Sequence, residues 1–346
     1  MTLVRQLSGP ISWGLFLLVC VAGCVKQPPK PAEITGQTMG TWYHIKFLHP
    51  SSAPTLEEIK KQVDQRLGEI NSKMSTYIPG SELSRFNRLD STKPFSVSPE
   101  TAMVVSAGIE IGQKSAGALD ITVLPLVELW GFGAKERIDS PPSEAVIAAV
   151  RQRTGLGKLS VSVKPAQLVK SQPGLSVDLS AIAKGYGVDQ VSVLLTALHL
   201  PNHLVEIGGE LRASGHKTAG QPWVVGIEVP GEAVGQVQRS LPLNDLAMAT
   251  SGDYRNYFEK DGVRYSHTID PKTGRPIQHR LASVSVVAKD CMTADGWATA
   301  LNVLGEVEGF KLAEEKGLNA YFIYREGKQF LVKGTQGFFA LSKPKN

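Results

Sequence analysis

The stretch LASVSVVAKDCMTADGWATALNVL, residues 281–304, decides the fold of this chain. Its first part, Leu281 to Val287, is rich in valine and predicts a strand. The part from about Thr293 to Leu304 predicts a helix. Strands and helices alternate irregularly through the rest of the chain. This order favours an α+β fold with mixed, mostly antiparallel sheets and packed helices.

Helix signals dominate the residues before this stretch, after a strand predicted from Thr41 to Leu48. Thr55 and Glu58 have the spacing of a capping box and predict that a helix begins there. Apolar residues then recur every three or four positions along one face, at Leu56, Ile59, Val63, Leu67 and Ile70. Two more helices are predicted, from Ser98-Pro99-Glu100 to about Gly117 and from Ser143 to near Gly155.

Strand signals prevail from residue 158 onward. The predicted strands are Lys158 to Val163, Leu175 to Leu179, Leu204 to Arg212, Val224 to Val229, Leu246 to Thr250, Arg264 to Ile269 and Leu281 to Val287. Helices are predicted to interrupt them at about Ala183 to Leu198, Thr293 to Leu304 and Val307 to Lys316. The last two strands, Ala320 to Tyr324 and Gln329 to Lys333, resemble a hairpin.

Composition places the chain among globular proteins. It has 346 residues, of which 42% are hydrophobic and 20% charged, and its formal net charge is +5. Lysines and arginines are spread along the chain without a basic stripe, and no zinc-finger spacing occurs. We therefore expect no nucleic-acid partner. Mild basicity by itself fits anionic small molecules or a membrane surface about as well as nucleic acid.

The N-terminus has the pattern of an export signal. Arg5 precedes an apolar run, Ile11 to Ala22, that is too short for a comfortable transmembrane helix. The run ends in Val21-Ala22-Gly23-Cys24, which resembles the lipobox of bacterial lipoproteins; the alternative is an ordinary secretory signal with an incidental cysteine. The lipobox interpretation predicts cleavage after residue 23 and lipidation of Cys24. It places the protein at the bacterial cell envelope, lipid-anchored to a membrane on the periplasmic side.

The remaining sequence divides into a tether and one domain. Residues 24–33 are Pro-rich and predict a stiff tether. Residues 34–346 are expected to form the domain. If Cys20 leaves with residues 1–23 and Cys24 is lipidated, Cys291 stays unpaired, so no intramolecular disulfide is expected.

Candidate chemistry lies in Gly-, Asp- and Thr-rich clusters, because neither a Walker loop nor a dinucleotide-binding glycine motif occurs. Asp295 and Thr299 are four residues apart on a predicted helix and share a face. A carboxylate and a hydroxyl suit Mg²⁺. Alternatively, Thr293 caps this helix and Asp295 complements its dipole.

Other candidates have ordinary structural alternatives. Lys184 could pair with a phosphate or be a solvated helix charge, and Asp178 could cap the following helix. His267, at a strand end before an Asp-Pro turn, could be a general base or a structural histidine. Met39 and Tyr77 are core residues by default, but either could cover an aromatic ring.

Taken together, these clusters resemble the ApbE family, the FAD:protein FMN transferases, from about Gly36 to Ser342. The residues that carry the resemblance are Thr38-Met39-Gly40-Thr41, Met74-Ser75-Thr76-Tyr77, Ser81 to Asn87, Gly117-Ala118-Leu119-Asp120, Asp178 to Asp189, Gly208-Gly209-Glu210, His267 to Gly274 and Ala294-Asp295-Gly296. The resemblance implies an ApbE-like, T-fold-like architecture and an active enzyme. That enzyme would transfer FMN from FAD to a protein hydroxyl and release AMP.

The resemblance also implies roles for individual residues. FAD contacts are implied for Met39, Tyr77, Ala118, Leu119, Asp120, Lys184, Gln190 and Ile269. A Mg²⁺ site is implied at Asp295, Thr299 and the carbonyl of Gly187, with His267 as the base. Trp297, Thr268 and Gly187 depart from the residues common in the family, but no implied ligand is lost.

The implied partners are FAD and flavoproteins of membrane redox complexes. The family attaches FMN through a phosphoester to a Thr or Ser in an Asp-Gly-x-Ser/Thr-Gly-Ala-Ser/Thr motif. This chain contains no such motif, so self-modification at one is not expected. Two other functions stay open at this point: an FAD pyrophosphatase that releases FMN and AMP, and a non-catalytic flavin-binding lipoprotein.

Overall fold

The computed structural model describes residues 31–133, 138, 140–231, 236–253, 257–260 and 263–341. The predicted signal peptide, Cys24 and tether residues 24–30 lie outside these described residues. Within the described part, no helix combines the length and the apolar character needed to cross a membrane.

Helices and strands are mixed along the chain. The helices are α1 Leu56–Met74, α2 Glu82–Arg88, α3 Pro99–Lys114, α4 Leu124–Leu129, α5 Glu144–Arg151, α6 Ala183–Ala197, α7 Cys291–Glu315 and α8 Gln336–Leu341. The strands are β1 Ala32–Thr38, β2 Thr41–Phe47, β3 Phe95–Ser96, β4 Leu159–Val163, β5 Ala166–Lys170, β6 His203–Ile207, β7 Glu210–Ser214, β8 Trp223–Glu228, β9 Val237–Leu243, β10 Ala247–Gly252, β11 Tyr257–Lys260, β12 Val263–Ser266, β13 Ile269–Asp270, β14 Arg275–Pro276, β15 Leu281–Ala288, β16 Asn319–Glu326 and β17 Gln329–Gly334.

One large sheet organises the fold. Its strand order is β1-β2-β6-β7-β10-β15-β16-β17, and every neighbouring pair is antiparallel. This confirms the α+β class with mostly antiparallel sheets. A three-stranded sheet, β3-β5-β4, and three two-stranded pairs complete the strands of the described residues.

Helices cover one face of the large sheet. Alternate residues of β2 point to that face, where Tyr43, Ile45 and Phe47 are fully buried against apolar residues of α1 and α6. Helix α7 packs over β10 and β15. At about 25 cal/mol for each square ångström of apolar surface removed from water, such burial is the main stabilising contribution to the fold.

The opposite face is covered only in part. The β8–β9 hairpin and α8 bury Met248, Val287 and Tyr321 there. At the β2–β6 end, in contrast, the alternate side chains Trp42, His44 and Lys46 are exposed. The large sheet therefore has one closed face and one face that is partly open.

Most predicted elements occur within a few residues of their expected bounds. The capping box at Thr55 and Glu58 is formed, and the helix that it begins buries Ile59, Val63, Leu67 and Ile70. The helices predicted on either side of Gly305 are one element with a break there, because Gly305 has φ 77°. The strand predicted from Leu204 to Arg212 is the β6–β7 hairpin, since Gly208 and Gly209 turn the chain with φ 60° and 101°.

One predicted strand does not form, and the first strand of the sheet was not predicted. Leu175 to Leu179 is not a strand, because its backbone groups make hydrogen bonds outside any sheet. The side chain of Asn87 donates to the carbonyl of Val177 and accepts its N–H, and the N–H of Asp178 donates to the carbonyl of Ile121. Strand β1 was not predicted, and it begins at Ala32, inside the expected tether. Its polar composition gives little strand signal.

Candidate active site

The large sheet opens between β7 and β10. These strands pair at only two positions, Arg212 with Ala247 and Leu211 with Met248. The next residues along them, Glu210 and Ala249, are not paired with each other. A cavity of about 1050 Å³ lies at this opening and is lined from both faces of the sheet. Cavities of this size accommodate cofactor-sized ligands.

A cluster of three charged side chains, two of them buried, lines the cavity. Lys184, in the first turn of α6, donates to Glu210 Oε1 at 2.6 Å, and its Nζ lies 3.8 Å from Asp295 Oδ1. Glu210 and Asp295 are only 3% and 2% exposed. The second carboxylate oxygen of Glu210, Oε2, is buried and has no hydrogen-bond partner. Lys184 is therefore an ion-paired charge whose side chain stays partly exposed to the cavity.

Burial and mutual charge control the protonation of this cluster. Burial raises the pKa of Glu210 to about 7, against the lowering effect of Lys184 and with a further increase from Asp295. Burial alone would lower the pKa of Lys184, but the charges of Asp295 and Glu210 outweigh it and raise that pKa. Burial raises the pKa of Asp295, opposed by Lys184 and by a backbone hydrogen bond from Gly185. Two carboxylates facing one ammonium leave the cluster able to bind a further positive charge.

Helices α6 and α7 hold the cluster together at their N-terminal ends. The Oδ2 atom of Asp295 accepts the N–H of Gly185 at 2.9 Å. Asp189 of α6 accepts the N–H groups of Cys291 and Met292, which begin α7, and also binds Arg212. A carboxylate at a helix N-terminus satisfies N–H groups that have no partner within the helix.

The alternative explanation for Asp295 did not hold. Asp290, not Thr293, caps α7, since its side chain accepts the N–H of Thr293 at 2.8 Å. Asp295 itself is buried at the cavity wall rather than at the solvated helix end. Asp178 likewise does not cap α6, because it accepts the N–H and the hydroxyl of Ser180 two residues on.

Hard oxygen donors meet near the opening. Asp295 and Thr299 both line the cavity, one helical turn apart, and the Thr299 hydroxyl lies 3.2 Å from that of Ser251 on β10. This donor set fits Mg²⁺, which takes one or two protein carboxylates and completes its shell with water and phosphate oxygens. Among the described residues, no group of three or more His, Cys, Asp or Glu side chains could hold a metal.

His267 lines the same cavity. It follows β12 and precedes β13, and its ring meets Phe132 edge-on with the centroids 6.4 Å apart. Ile269, two residues on, also lines the cavity. Phe132 also stacks on Phe258, which stacks on Tyr265, and Tyr265 stacks on Trp130. The His267 ring therefore packs at the end of an aromatic cluster.

Four further predicted FAD contacts line the cavity, namely Tyr77, Ala118, Leu119 and Asp120. Tyr77 is largely exposed, as a ring-covering residue requires. Burial raises the pKa of Asp120, although hydrogen bonds from the hydroxyl and N–H of Thr122 lower it.

Met39 lies behind the cavity wall. It is not a lining residue, and its side chain lies against Gly187, where an added Cβ would be 3.0 Å from the methyl carbon. Met39 and Gly40 both have positive φ, 50° and 73°, as the two-residue turn between β1 and β2 requires. A methionine in this conformation is uncommon and strained.

Gly187 and Gln190 lie outside the cavity. Gly187 is buried inside α6 between Met39 and Ile207, and Gln190 faces α1, where it accepts a hydrogen bond from Arg66 at 2.8 Å. Six residues beyond Lys184, the helix has turned Gln190 away from the cavity. The metal and FAD roles expected of these two residues stay predictions.

The structure adds residues that carried no assigned role in the sequence. Glu210 lies next to Lys184, and Ser251 lies next to Thr299. Ala181, which precedes α6, lines the cavity. In the sequence, Glu210 belongs to the Gly208-Gly209-Glu210 cluster, which predicts a position near the site but no role for the carboxylate. Only the pairing of β6 with β7 brings it to Lys184.

Comparison with known proteins identifies the family. A sequence profile described as the ApbE family matches residues 39–322. The chain belongs to the ApbE family. Two curated ApbE relatives are each named FAD:protein FMN transferase. That of Vibrio cholerae is 45% identical over 93% of this chain and 95% of its own length. That of Haemophilus influenzae is 42% identical over 99% of both.

Solved ApbE structures share the fold. The flavin transferase ApbE from Vibrio cholerae superposes with a TM-score of 0.84 at 44% identity, covering 91% of this chain and all of the other. The apo form of the Pseudomonas stutzeri flavinyl transferase ApbE gives a TM-score of 0.84 at 41% identity, with 92% and 98% covered. The sheet opening and its charged cluster thus belong to an ApbE fold.

Proposed function

We propose that this protein is an FAD:protein FMN transferase that moves FMN onto a Thr or Ser hydroxyl of a target flavoprotein through a phosphoester bond. The observation that carries the proposal is the charged cluster of Lys184 with the buried Glu210 and Asp295, which shares one cavity with His267. Membership of the ApbE family and the names of its curated relatives support it.

The residues of this chain suggest how the transfer proceeds. The acceptor hydroxyl oxygen forms a bond to the FMN phosphorus of FAD, the bond from that phosphorus to the bridging oxygen breaks, and AMP leaves. His267 takes the hydroxyl proton, a general-base role that typically contributes about 10²- to 10⁴-fold to a rate. Lys184 brings a positive charge to the cavity wall, where it favours a pyrophosphate.

Asp295 and Thr299 are proposed to hold Mg²⁺, with the neighbouring Ser251 hydroxyl in reach of the same site. Bound there, the ion would neutralise negative charge on phosphate oxygens. The buried Oε2 of Glu210 has no hydrogen-bond partner, and burial raises the pKa of this carboxyl to about 7. A cation bound beside Asp295 would also stabilise the ionised form of Glu210.

The cellular setting is also proposed. We infer that Cys24 is lipidated and that residues 24–31, which precede β1, tether the domain to a membrane on the periplasmic side of a bacterial envelope. The targets are then flavoproteins of membrane redox complexes that carry the Asp-Gly-x-Ser/Thr-Gly-Ala-Ser/Thr motif. The lipobox pattern at residues 21–24 supports this setting.

One experiment tests the function. The purified protein is mixed with FAD, Mg²⁺ and a carrier protein bearing the acceptor motif, with and without EDTA, and the intact mass of the carrier is measured. We expect the carrier to gain one FMN only when the metal is available. Free FMN and AMP with an unmodified carrier would indicate an FAD pyrophosphatase, and intact FAD throughout would indicate a flavin-binding protein.

A further inference from the structure

A shallow groove crosses the open face of the large sheet. Its floor is a row of side chains that the strand register places side by side: His44 on β2, Glu206 on β6, Leu211 on β7 and Met248 on β10. Trp42, on the same face, is 56% exposed. All five residues line the cavity that also contains Lys184 and Asp295. The floor of the groove therefore runs into the active site.

The wall of the groove is the edge of a strand. Five consecutive residues of β8, from Val224 to Glu228, line the cavity, although only Val225 and Ile227 are buried against the sheet. A strand that presents successive residues to a cavity presents its backbone as well. Within the described residues, β8 pairs with β9 alone, so its other edge has no strand partner.

One end of the groove opens to solvent, and the other end reaches the cluster of Lys184, Glu210 and Asp295. A second, smaller cavity shares Lys46, Leu204 and Val224 with the first and continues along the surface to Pro31 and Lys217. At the other end, the opening between β7 and β10 leads to Glu210 and Asp295 on the helix-covered side of the sheet. A chain lying in the groove can thus reach the cluster from outside.

We propose that this groove binds the acceptor segment of the target protein as an extended chain that pairs with the free edge of β8. The inference rests on the proposed transferase function and names the partner of that site. An edge strand offers unpaired N–H and C=O groups that select an extended polypeptide, and side-chain pockets along it give specificity. Glycine and alanine in the acceptor motif let the two backbones approach closely.

Charge along the groove is mixed. Lys46 lies on the floor, about half exposed and 4.0 Å from Glu33, while Glu206 on the floor and Glu228 on the wall are acidic. The groove therefore selects an extended chain through the strand edge and its side-chain pockets rather than through net charge.

A charge placed on the groove wall tests the proposal. Val224 is 59% exposed on β8, and Val193 is 59% exposed on α6 and does not line the cavity, which makes it a matched control. We expect V224E to raise the KM for the carrier about tenfold or more, as the loss of an interface contact does. The Kd for FAD should stay within about twofold, since the groove holds the acceptor. V193E should change neither quantity.

The KM of V224E for the carrier distinguishes a failure of the groove proposal from a failure of the proposed function. If the wild-type protein modifies the carrier and V224E does so with an unchanged KM, the groove is not the acceptor site although the transferase function stands. If the wild-type protein never modifies the carrier, the proposed function itself fails. A circular dichroism spectrum and a melting temperature like those of the wild type show that V224E is folded.

Backbone pairing is tested separately. A synthetic peptide spanning the acceptor motif should compete with the carrier, and single N-methyl groups should abolish competition at alternate positions only. That two-residue period is the signature of a strand whose alternate N–H groups face β8. A peptide that does not compete at millimolar concentration, or a loss of competition without the alternation, overturns strand pairing.

Discussion

The carboxylate of Asp295 accepts the backbone N–H of Gly185 at 2.9 Å, so a single hydrogen bond ties the proposed metal ligand on α7 to the helix that carries Lys184. The two helices approach so closely that a Cβ on Gly185 would lie 2.3 Å from the carbonyl oxygen of Cys291. The position of the proposed metal ligand therefore depends on a residue without a side chain.

Substitution of Gly185 by alanine should separate the helices. The added carbon meets backbone atoms rather than a flexible side chain, so α7 must shift. We expect G185A to lower the free energy of unfolding by about 1–3 kcal/mol, the usual effect of overpacking. Transfer activity should fall further than stability explains, because Asp295 moves with α7. Urea unfolding and single-turnover transfer measure the two effects.

A second glycine provides the control. Gly68 lies in α1, and a Cβ there would meet nothing within 4 Å. G68A should therefore raise the free energy of unfolding by about 0.5–1 kcal/mol, since alanine favours a helix. Activity should not change. Normal activity and stability in G185A would show that the helices can separate without consequence.

Asp189 should prove a positioning residue. D189A removes the acceptor of two α7 N–H groups and leaves Arg212 without its partner at 2.5 Å. We expect the free energy of unfolding to fall by about 2–4 kcal/mol, and the apparent Kd for Mg²⁺ to rise with it. E110A, which removes an exposed pair with Lys114, should stay within about 0.5 kcal/mol of the wild type. Unchanged Mg²⁺ binding in D189A would restrict Asp189 to stability.

His267 should affect chemistry and not binding. H267A is expected to slow the transfer step about 10²- to 10⁴-fold while the protein still binds FAD. Rapid mixing of enzyme-bound FAD with the carrier isolates that step. H216A serves as the control, because His216 is exposed and lies outside the cavity. Equal single-turnover rates in H267A and the wild type would remove His267 from the role of base.

Asp295 should govern the metal requirement. D295N retains an oxygen that can accept the N–H of Gly185 but loses the charge that favours a cation. We expect transfer by D295N to lose its response to Mg²⁺. D64N, on the outer side of α1, should titrate like the wild type. A normal Mg²⁺ titration of D295N would contradict the proposed site.

Acid should destabilise the protein through His203. Burial lowers the pKa of His203 below its ordinary 6.5, and Nδ1 donates to the carbonyl of Leu200 at 2.7 Å while Nε2 lies 2.7 Å from the Ser192 hydroxyl. Below about pH 6.5 the unfolded chain binds a proton at His203 more readily than the folded chain does, so the contribution of His203 to the free energy of unfolding falls. Protonation of Glu210, whose pKa is raised, acts in the opposite direction in both proteins. The melting temperature of H203N minus that of the wild type should therefore increase as the pH falls from 7.5 to 5.5.

The sequence predicted the elements whose signals are local. The helix after Thr55 and the strand at Leu281 are set by caps, periodicity and valine content, all of which neighbouring residues determine. The segment from Leu175 to Leu179 has a strand pattern, because three apolar residues alternate with Ser176 and Asp178. Its conformation depends instead on Asn87, which is distant in the sequence and forms two hydrogen bonds with the backbone of Val177.

The candidate site was predictable only where residue type implies chemistry. Asp295, Thr299 and Lys184 stood out because a carboxylate, a hydroxyl and an ammonium suit a metal and phosphates, and all three line one cavity. The importance of Glu210 depends on a strand pairing and on an unpartnered oxygen, which no local pattern shows. Gln190 was expected at the cavity, but the turn of α6 directs it to Arg66.

The turn at Met39 and Gly40 has a consequence for directed evolution. Asparagine or glycine would adopt the positive φ of Met39 at lower conformational cost. The methionine side chain, in turn, supports the α6 surface behind the cavity. A library screened only for heat resistance should therefore replace Met39 early. A library screened for flavin transfer should retain it, and sequencing both pools would separate the demands of folding from those of catalysis at one hairpin corner.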